Sequence, residues 1–293
     1  MAIDHETKSL IDMIFSDIGG KYQLLDEIGR GGQKKVYKIR HESGEVQVLK
    51  LIETTTDSLE RVKREIIAPS IIEHSSIPKV LASNASTISD RKNSRVWLIE
   101  EYIDGTSLRK ILESGRKFLT NEVVLFLDTI LSILEKSEKK KIIHRDIKPE
   151  NILLDVNGKY WLIDFGIARH LDLESLTDTN SPFGPCTVGY SASEQFRNRK
   201  HDIDIRVDLF SVGVVAAEML SGYNPYTKDA DNILHIIRDI ERRPLPLLRI
   251  KGDTRYLLAQ FIRALGDNRA SRRPSSAREA REIFEVIKPT LIM

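Results

Sequence analysis

Two short apolar runs, Ile152–Leu154 and Tyr160–Ile163, bracket the pair Asn157-Gly158. Asn-Gly readily adopts the left-handed backbone of a tight two-strand turn, so the chain is expected to double back here. That reversal constrains everything around it, because it brings two polar flanks together. One is His144-Arg145-Asp146-Ile147-Lys148-Pro149-Glu150-Asn151 and the other is Asp164-Phe165-Gly166. Asn151 and Asp164 fall at the same open end, as two hard oxygen donors suited to Mg²⁺. Asp146 can accept a proton from an attacking hydroxyl, and Lys148 can neutralise charge on a moving phosphate.

The pattern on either side differs in kind. Residues 1–20 read as a short amphipathic helix ending at Gly19-Gly20, with Leu10, Ile11, Ile14, Phe15 and Ile18 near helical spacing. From Tyr22 the chain turns to short β-rich runs at Tyr22–Ile28, Lys35–His41, Glu45–Ile52 and Arg95–Glu101, with a further strand expected over Val80–Ser89. A charged helix around Ser58–Ala68 interrupts them, and Pro69 should end or kink it. Past Asp104-Gly105 the periodicity is helical, over Ser107–Ser114, Asn121–Lys139, Asp208–Ser221, Asp231–Arg242, Arg255–Leu265 and Ser276–Ile287. No internal repeat or long low-complexity segment is present.

Composition excludes several classes. With 41% hydrophobic and 30% charged residues in 293, the chain has the makings of an ordinary globular protein large enough for two lobes. Its 45 basic and 43 acidic residues leave a net charge of +2, with no global pull toward nucleic acid or membrane. The arginines between Arg238 and Arg281 are interleaved with acids and lack aromatic platforms, so they read as a solvated face. The single cysteine, Cys186, excludes an intrachain disulfide and fits a reducing, cytoplasmic setting. The N-terminus lacks a signal-peptide pattern, and the most apolar stretch, Val123–Leu134, is broken by Asp128 and too short to span a bilayer. No membrane partner is expected.

The octapeptide and the tripeptide resemble, without substitution, the HRDxKxxN and DFG motifs of eukaryotic-type (Hanks-type) serine/threonine protein kinases, including the bacterial members. The resemblance covers about residues 21–287. It implies an α+β, two-lobed kinase fold: a helical extension over 1–20, an N-lobe over 21–103 with an antiparallel sheet and one helix, and a mainly helical C-lobe over 104–293. By the same resemblance Asp146 and Lys148 act at the transferring phosphate, Asn151 and Asp164 hold Mg²⁺ (Mn²⁺ being an alternative), and His144, Arg145, Phe165 and Gly166 support them. Gly29 and Gly31 would cover the phosphates of ATP, and Lys50 would bind them with Glu65 as its partner, Glu60 being the competing choice. Hinge groups at Glu101 C=O and Ile103 N–H would meet adenine between apolar walls at Val36, Val48 and Leu153.

Further along, Thr187-Val188-Gly189-Tyr190-Ser191-Ala192-Ser193-Glu194 resembles the end of a kinase activation segment. Thr187 would then arrange Asp146 and Lys148, Glu194 would pair with Arg273, and Asp208 would anchor the catalytic loop. Arg145 implies a grip on an activation-segment phosphate; Ser175, Thr177, Thr179 and Ser181 are candidate acceptors, with Thr177 or Thr179 the expected autophosphorylation site. Lys148, two residues after Asp146, is the serine/threonine pattern. Protein substrates are implied, and a homodimer is a further partner the resemblance allows.

Besides Val48, which stands where the family usually has alanine, and Cys186, which replaces a glycine, four residues bear on whether the resemblance extends to activity. Lys34 replaces the third glycine of the Gly-rich loop and is expected to carry a solvated side chain. Glu100 occupies the usually apolar or small gatekeeper position, where a carboxylate must face water, pair with a cation or raise its pKa. Ser193 replaces a proline, and Pro69 lies in the helix meant to carry Glu65. These departures motivate a rival reading, a weakly active pseudokinase serving as an interaction scaffold. A small-molecule kinase is a third.

Overall fold

The computed structural model describes residues 5–31, 34–54, 66–85, 94–165, 187–197 and 203–292. Five strands form the first layer: β1 (Tyr22–Arg30), β2 (Lys34–His41), β3 (Val46–Thr54), β4 (Val80–Ser83) and β5 (Ser94–Glu101), in the order β1-β2-β3-β5-β4. Every neighbouring pair is antiparallel. Strand alternation gives the sheet two distinct faces. On one, Tyr37, Ile39, Leu49, Leu51 and Ile99 pack beneath Ile11, Ile14 and Phe15 of α1 (His5–Asp17). Leu10 and Ile18 flank that contact, so the amphipathic extension is a lid of apolar side chains on the sheet. The other face carries Ile52, Val96 and Leu98, packed with Ile66 and Ala85, and presents Val48 and Lys50 alongside.

Two expectations need correction here. The strand anticipated over Val80–Ser89 ends at Ser83, where Asn84 takes over: its side chain accepts from Trp97 N–H and donates to Arg95 C=O, at 2.8 and 3.1 Å. The helix that carries Pro69 ends two residues on, in keeping with the expected end or kink. Residues 66–71 are helical, because proline removes a single amide and Ile72 N–H still reaches Ala68 C=O at 3.2 Å. Asp104-Gly105, read as a break, leads into a strand, β6 (Gly105–Ser107), which pairs with the predicted hairpin to make a second, three-stranded sheet.

That hairpin is β7 (Ile152–Asp155) and β8 (Tyr160–Leu162), with Gly158 at φ +78°. It sits on the helical half of the molecule. The long α3 (Thr120–Lys139) buries Val123, Phe126, Leu127, Ile130, Leu131, Ile133 and Leu134 against α5 (Arg206–Ser221), which is apolar nearly all round. Ahead of α3 in the chain lies α2 (Leu108–Glu113), capped by the Ser107 side chain, and between α3 and α5 lies the short α4 (Ser193–Phe196). Gly213 of α5 lets the Gly266 backbone come so close that a Cβ would lie 2.6 Å from its nitrogen. This contact brings in α7 (Leu257–Leu265), while α6 (Ile233–Arg242) and α8 (Ala277–Ile287) complete the bundle.

Because α1 buries its apolar stripe on the sheet, Ile11→Ala should destabilise the chain by about 2–4 kcal/mol through lost burial and a residual cavity. Urea unfolding of the variant beside the parent measures it; an unchanged midpoint would mean that α1 does not contribute to the folded core.

Candidate active site

The catalytic-loop residues are held from below by α5. Asp208, buried in its first turn, accepts the backbone N–H groups of His144 and Arg145, each at 2.7 Å. Two buried donors thereby find partners in one carboxylate. Arg145 can then hold φ +65°, a left-handed conformation unusual for a residue with a side chain. Gln195 Nε2 donates to the Arg145 carbonyl at 3.2 Å, tying α4 to the same loop. Nearby, Glu194 forms a buried ion pair with Arg273 at 2.5 Å, and Arg273 also donates to the Asp267 and Arg206 carbonyls.

This frame brings Asp146, Lys148, Asn151 and Thr187 into one cluster. Thr187 Oγ1 donates to Asp146 Oδ1 at 2.7 Å, and Lys148 Nζ lies 2.9 Å from Asp146 Oδ2 while donating to Thr187 Oγ1 at 3.1 Å. Asn151 Nδ2 donates to the Asp146 carbonyl at 2.8 Å and to Oδ2 at 3.1 Å. Asp146 is therefore oriented from three directions. Opposite it, Ile163 N–H bonds to Asn151 C=O at 2.9 Å, so the open end of the hairpin sets Asp164 close to Asn151.

Asp164, at φ +59°, is the meeting point of the two halves. Its Oδ1 accepts from Lys50 Nζ at 2.6 Å and its Oδ2 from Lys34 Nζ at 2.8 Å. Burial opposes ionisation of this carboxyl, but Lys34 and Lys50 outweigh it and hold the pKa far below the carboxylate range. Lys50 also meets Glu100 Oε1 at 2.5 Å, deep in the cleft where Glu100 is only 7% exposed. Burial would strip the Lys50 proton, yet Asp164 and Glu100 together raise its pKa. For Glu100 burial dominates and raises the pKa, with Lys50 opposing. The strand register pairs Val48 with Glu100 and places the latter on the cleft face. Of the fates open to a carboxylate there, two are realised: a cation partner and a raised pKa.

Lys34 corrects an expectation. Its side chain is not solvated; it is 13% exposed and bridges β2 to Asp164. The sequence motif marked it only as a missing glycine. Also unforeseen is Arg109 of α2, which joins Glu150 at 2.9 Å and Glu218 at 3.0 Å and donates to the Tyr190 hydroxyl, itself a donor to Glu218. These residues come from separate elements, so no local spacing could have revealed the cluster. Glu65, Glu60, Gly166, Ser175, Thr177, Thr179, Ser181 and Cys186 lie outside the described residues.

The donor set fits Mg²⁺. Asn151 uses its amide nitrogen on Asp146 and so has its oxygen to offer, and Asp164 is ionised; an amide and a carboxylate oxygen completed by phosphate oxygens and water is what this hard cation takes. The described residues contain no cluster of three or more His, Cys, Asp or Glu side chains suited to holding a metal without such help. Gly29 lies in β1 opposite Val36, and Gly31 N–H donates to the Lys34 carbonyl at 2.7 Å. Among the described residues, a Cβ on either would meet only ordinary contacts at 3.5 Å or beyond, so packing of the protein does not demand glycine there. Val48 and Ile103 are buried, Val36 and Leu153 half-buried.

His144 is fully buried, its ring 4.6 Å from that of Phe165. Nδ1 accepts from Asp146 N–H at 3.3 Å and Nε2 faces Ile163 C=O at 3.1 Å, an arrangement suited to the neutral Nε2–H tautomer. Burial accordingly pulls its pKa down to about 4. As pH falls below about 6.5, the unfolded chain binds a proton that the folded chain refuses, so stability is lost until about pH 4, where the folded ring titrates too. Between pH 7 and 5 this ring should remove about 2 kcal/mol. Urea midpoints at both pH values, with His144→Gln alongside, measure it; a pH slope unaltered by the substitution contradicts the account.

Comparison with known proteins agrees with this geometry. Residues 22–285 match the model of the protein kinase domain. A probable serine/threonine-protein kinase of Streptomyces coelicolor is 33% identical over 219 residues, 73% of this chain and 32% of that protein. The probable serine/threonine-protein kinase PknB of Lactococcus lactis is 30% identical over 226 residues (75% and 34%), and PrkC of Bacillus subtilis, a serine/threonine-protein kinase, is 28% identical over 219 (73% and 32%). The chain spans about a third of the length of these relatives. With a matched domain that runs from β1 to α8 and contains the whole Asp146–Asp164 cleft, this chain belongs to the protein kinase domain family.

Proposed function

We propose that this chain transfers the γ-phosphate of Mg·ATP to serine or threonine hydroxyls of proteins. The observation that carries the reading is the restraint on Asp146, whose two carboxylate oxygens are engaged by Thr187, Lys148 and Asn151. An acceptor hydroxyl would lose its proton to Asp146 as its oxygen bonds to the γ-phosphorus and the bond to the bridging oxygen of ADP breaks. Lys148 supplies positive charge beside that reaction, and Lys50 meets the phosphates from the sheet. Asn151 and Asp164 would hold the divalent cation, which when bound neutralises charge on the phosphates. The α1 lid, Glu100 through its pairing with Lys50, and the Asp208 anchor hold these groups in place and take no part in the chemistry.

The names of the relatives support a serine or threonine acceptor, as does Lys148. Thr187 touches both Asp146 and Lys148, so the segment leading to α4 meets the reacting groups directly, which suits a peptide substrate docked along it. The reading extends to autophosphorylation at Thr177 or Thr179, with Arg145 receiving the phosphate through charge-assisted hydrogen bonds and a transient homodimer bringing the two chains together. A cytoplasmic setting is part of the same proposal, in keeping with a lone cysteine. No helix among the described residues is long and apolar enough to cross a membrane.

Asp146→Asn should lower phosphate transfer to self and to a generic protein substrate by at least about a hundredfold, while leaving nucleotide affinity within about twofold. Labelled γ-phosphate transfer followed by phosphosite mapping checks it. Equal transfer by variant and parent would remove Asp146 from the chemistry, and phosphate found solely on tyrosine would overturn the acceptor class.

A further inference from the structure

Strand β2 carries Lys34 and Val36 on the cleft face, where Val36 lies opposite Lys50 and Lys34 opposite Ile52. The two lysines thus point into one space from neighbouring strands. They converge on the two oxygens of a single carboxylate, Lys50 on Asp164 Oδ1 at 2.6 Å and Lys34 on Oδ2 at 2.8 Å. Their ammonium groups are separated by no more than the width of a carboxylate and two hydrogen bonds. Like charges so close and so little exposed repel, and their proximity is tolerated because Asp164 and Glu100 lie between and beside them.

The balance changes when the cleft fills. A divalent cation needs at least one Asp164 oxygen with its lone pair turned toward the metal. Lys50 keeps a second acceptor in Glu100 at 2.5 Å; among the described residues the ammonium of Lys34 donates to Asp164. Lys34 is also the more exposed of the two, at 13% against 3%, and stands two residues after Gly32 in the sequence. An arriving polyphosphate offers it new anionic oxygens at the moment its old partner is claimed.

We infer that Lys34 is a second phosphate-binding lysine, paired with Asp164 in the free enzyme and passing to the terminal phosphates when Mg·ATP enters. The inference rests on reading the cleft as a Mg·ATP site. It makes Lys34 and Lys50 partners in one task, so that either can hold part of the triphosphate in the other's absence. It also accounts for a lysine where a loop built only for close backbone approach would carry glycine.

Calorimetric titration of the full chain with ATP, ADP and AMP in Mg²⁺ tests this without reference to activity. Lys34→Met should weaken ATP binding about tenfold and AMP binding by less than about twofold, whereas Lys34→Arg should retain most of the ATP affinity. Lys50→Met should keep measurable ATP binding that is lost in the Lys34→Met/Lys50→Met double variant. Thermal unfolding of each variant reports whether the fold is intact. Equal losses for ATP and AMP, or tighter ATP binding in Lys34→Met, would overturn the inference; the second result would make Lys34 a latch that competes with the nucleotide. Failure of the parent chain to bind any of the three nucleotides would instead overturn the Mg·ATP reading on which the inference stands.

Discussion

The carboxylate of Asp164 is where the sheet half and the helical half of this molecule meet electrostatically. Two lysines descend to it from neighbouring strands, and the turn that presents it is fixed by the hairpin on the other side. Its burial would ordinarily favour the protonated acid, and the two ammonium groups together outweigh that and keep the charge. Glu100 extends the same network one step deeper into the sheet through Lys50. The cleft is therefore poised rather than relaxed. Its charges are mutually satisfied, and a metal and a polyphosphate would exchange partners within it without adding isolated charge.

The helical half supplies rigidity by a different means. Asp208 accepts two backbone amides and allows Arg145 its left-handed turn, while Glu194 and Arg273 pin the segment that delivers Thr187. Removing either anchor would leave buried polar groups without partners, a cost far above that of a surface ion pair. Precision at Asp146 follows from these anchors together with the three side chains that hold its carboxylate. The positioning of the Asp146 carboxylate is thereby built from backbone amides, a buried ion pair and a single hairpin register.

Legibility in the sequence followed the range of the interactions. The Asn157-Gly158 hairpin, the main strands and the long helices rest on local periodicity and turn chemistry, and they appear within one or two residues of the expected bounds. The hydrogen-bonded group around Asp146 was readable because one short motif holds most of it. Lys34 was misread because its meaning depends on Asp164, which is distant in the chain, and a lysine on a loop gives no local sign of a buried partner. The Arg109–Glu150–Glu218–Tyr190 cluster was invisible for the same reason.

The most direct test of this account is a crystal structure with Mg²⁺ and a non-hydrolysable ATP analogue. The account predicts that Asp164 and Asn151 oxygens ligate the metal, that Lys50 keeps its contact with Glu100, and that Lys34 has left Asp164 for a phosphate oxygen. A nucleotide seated in the cleft with the Lys34–Asp164 ion pair still intact, or with the metal held elsewhere, would contradict it.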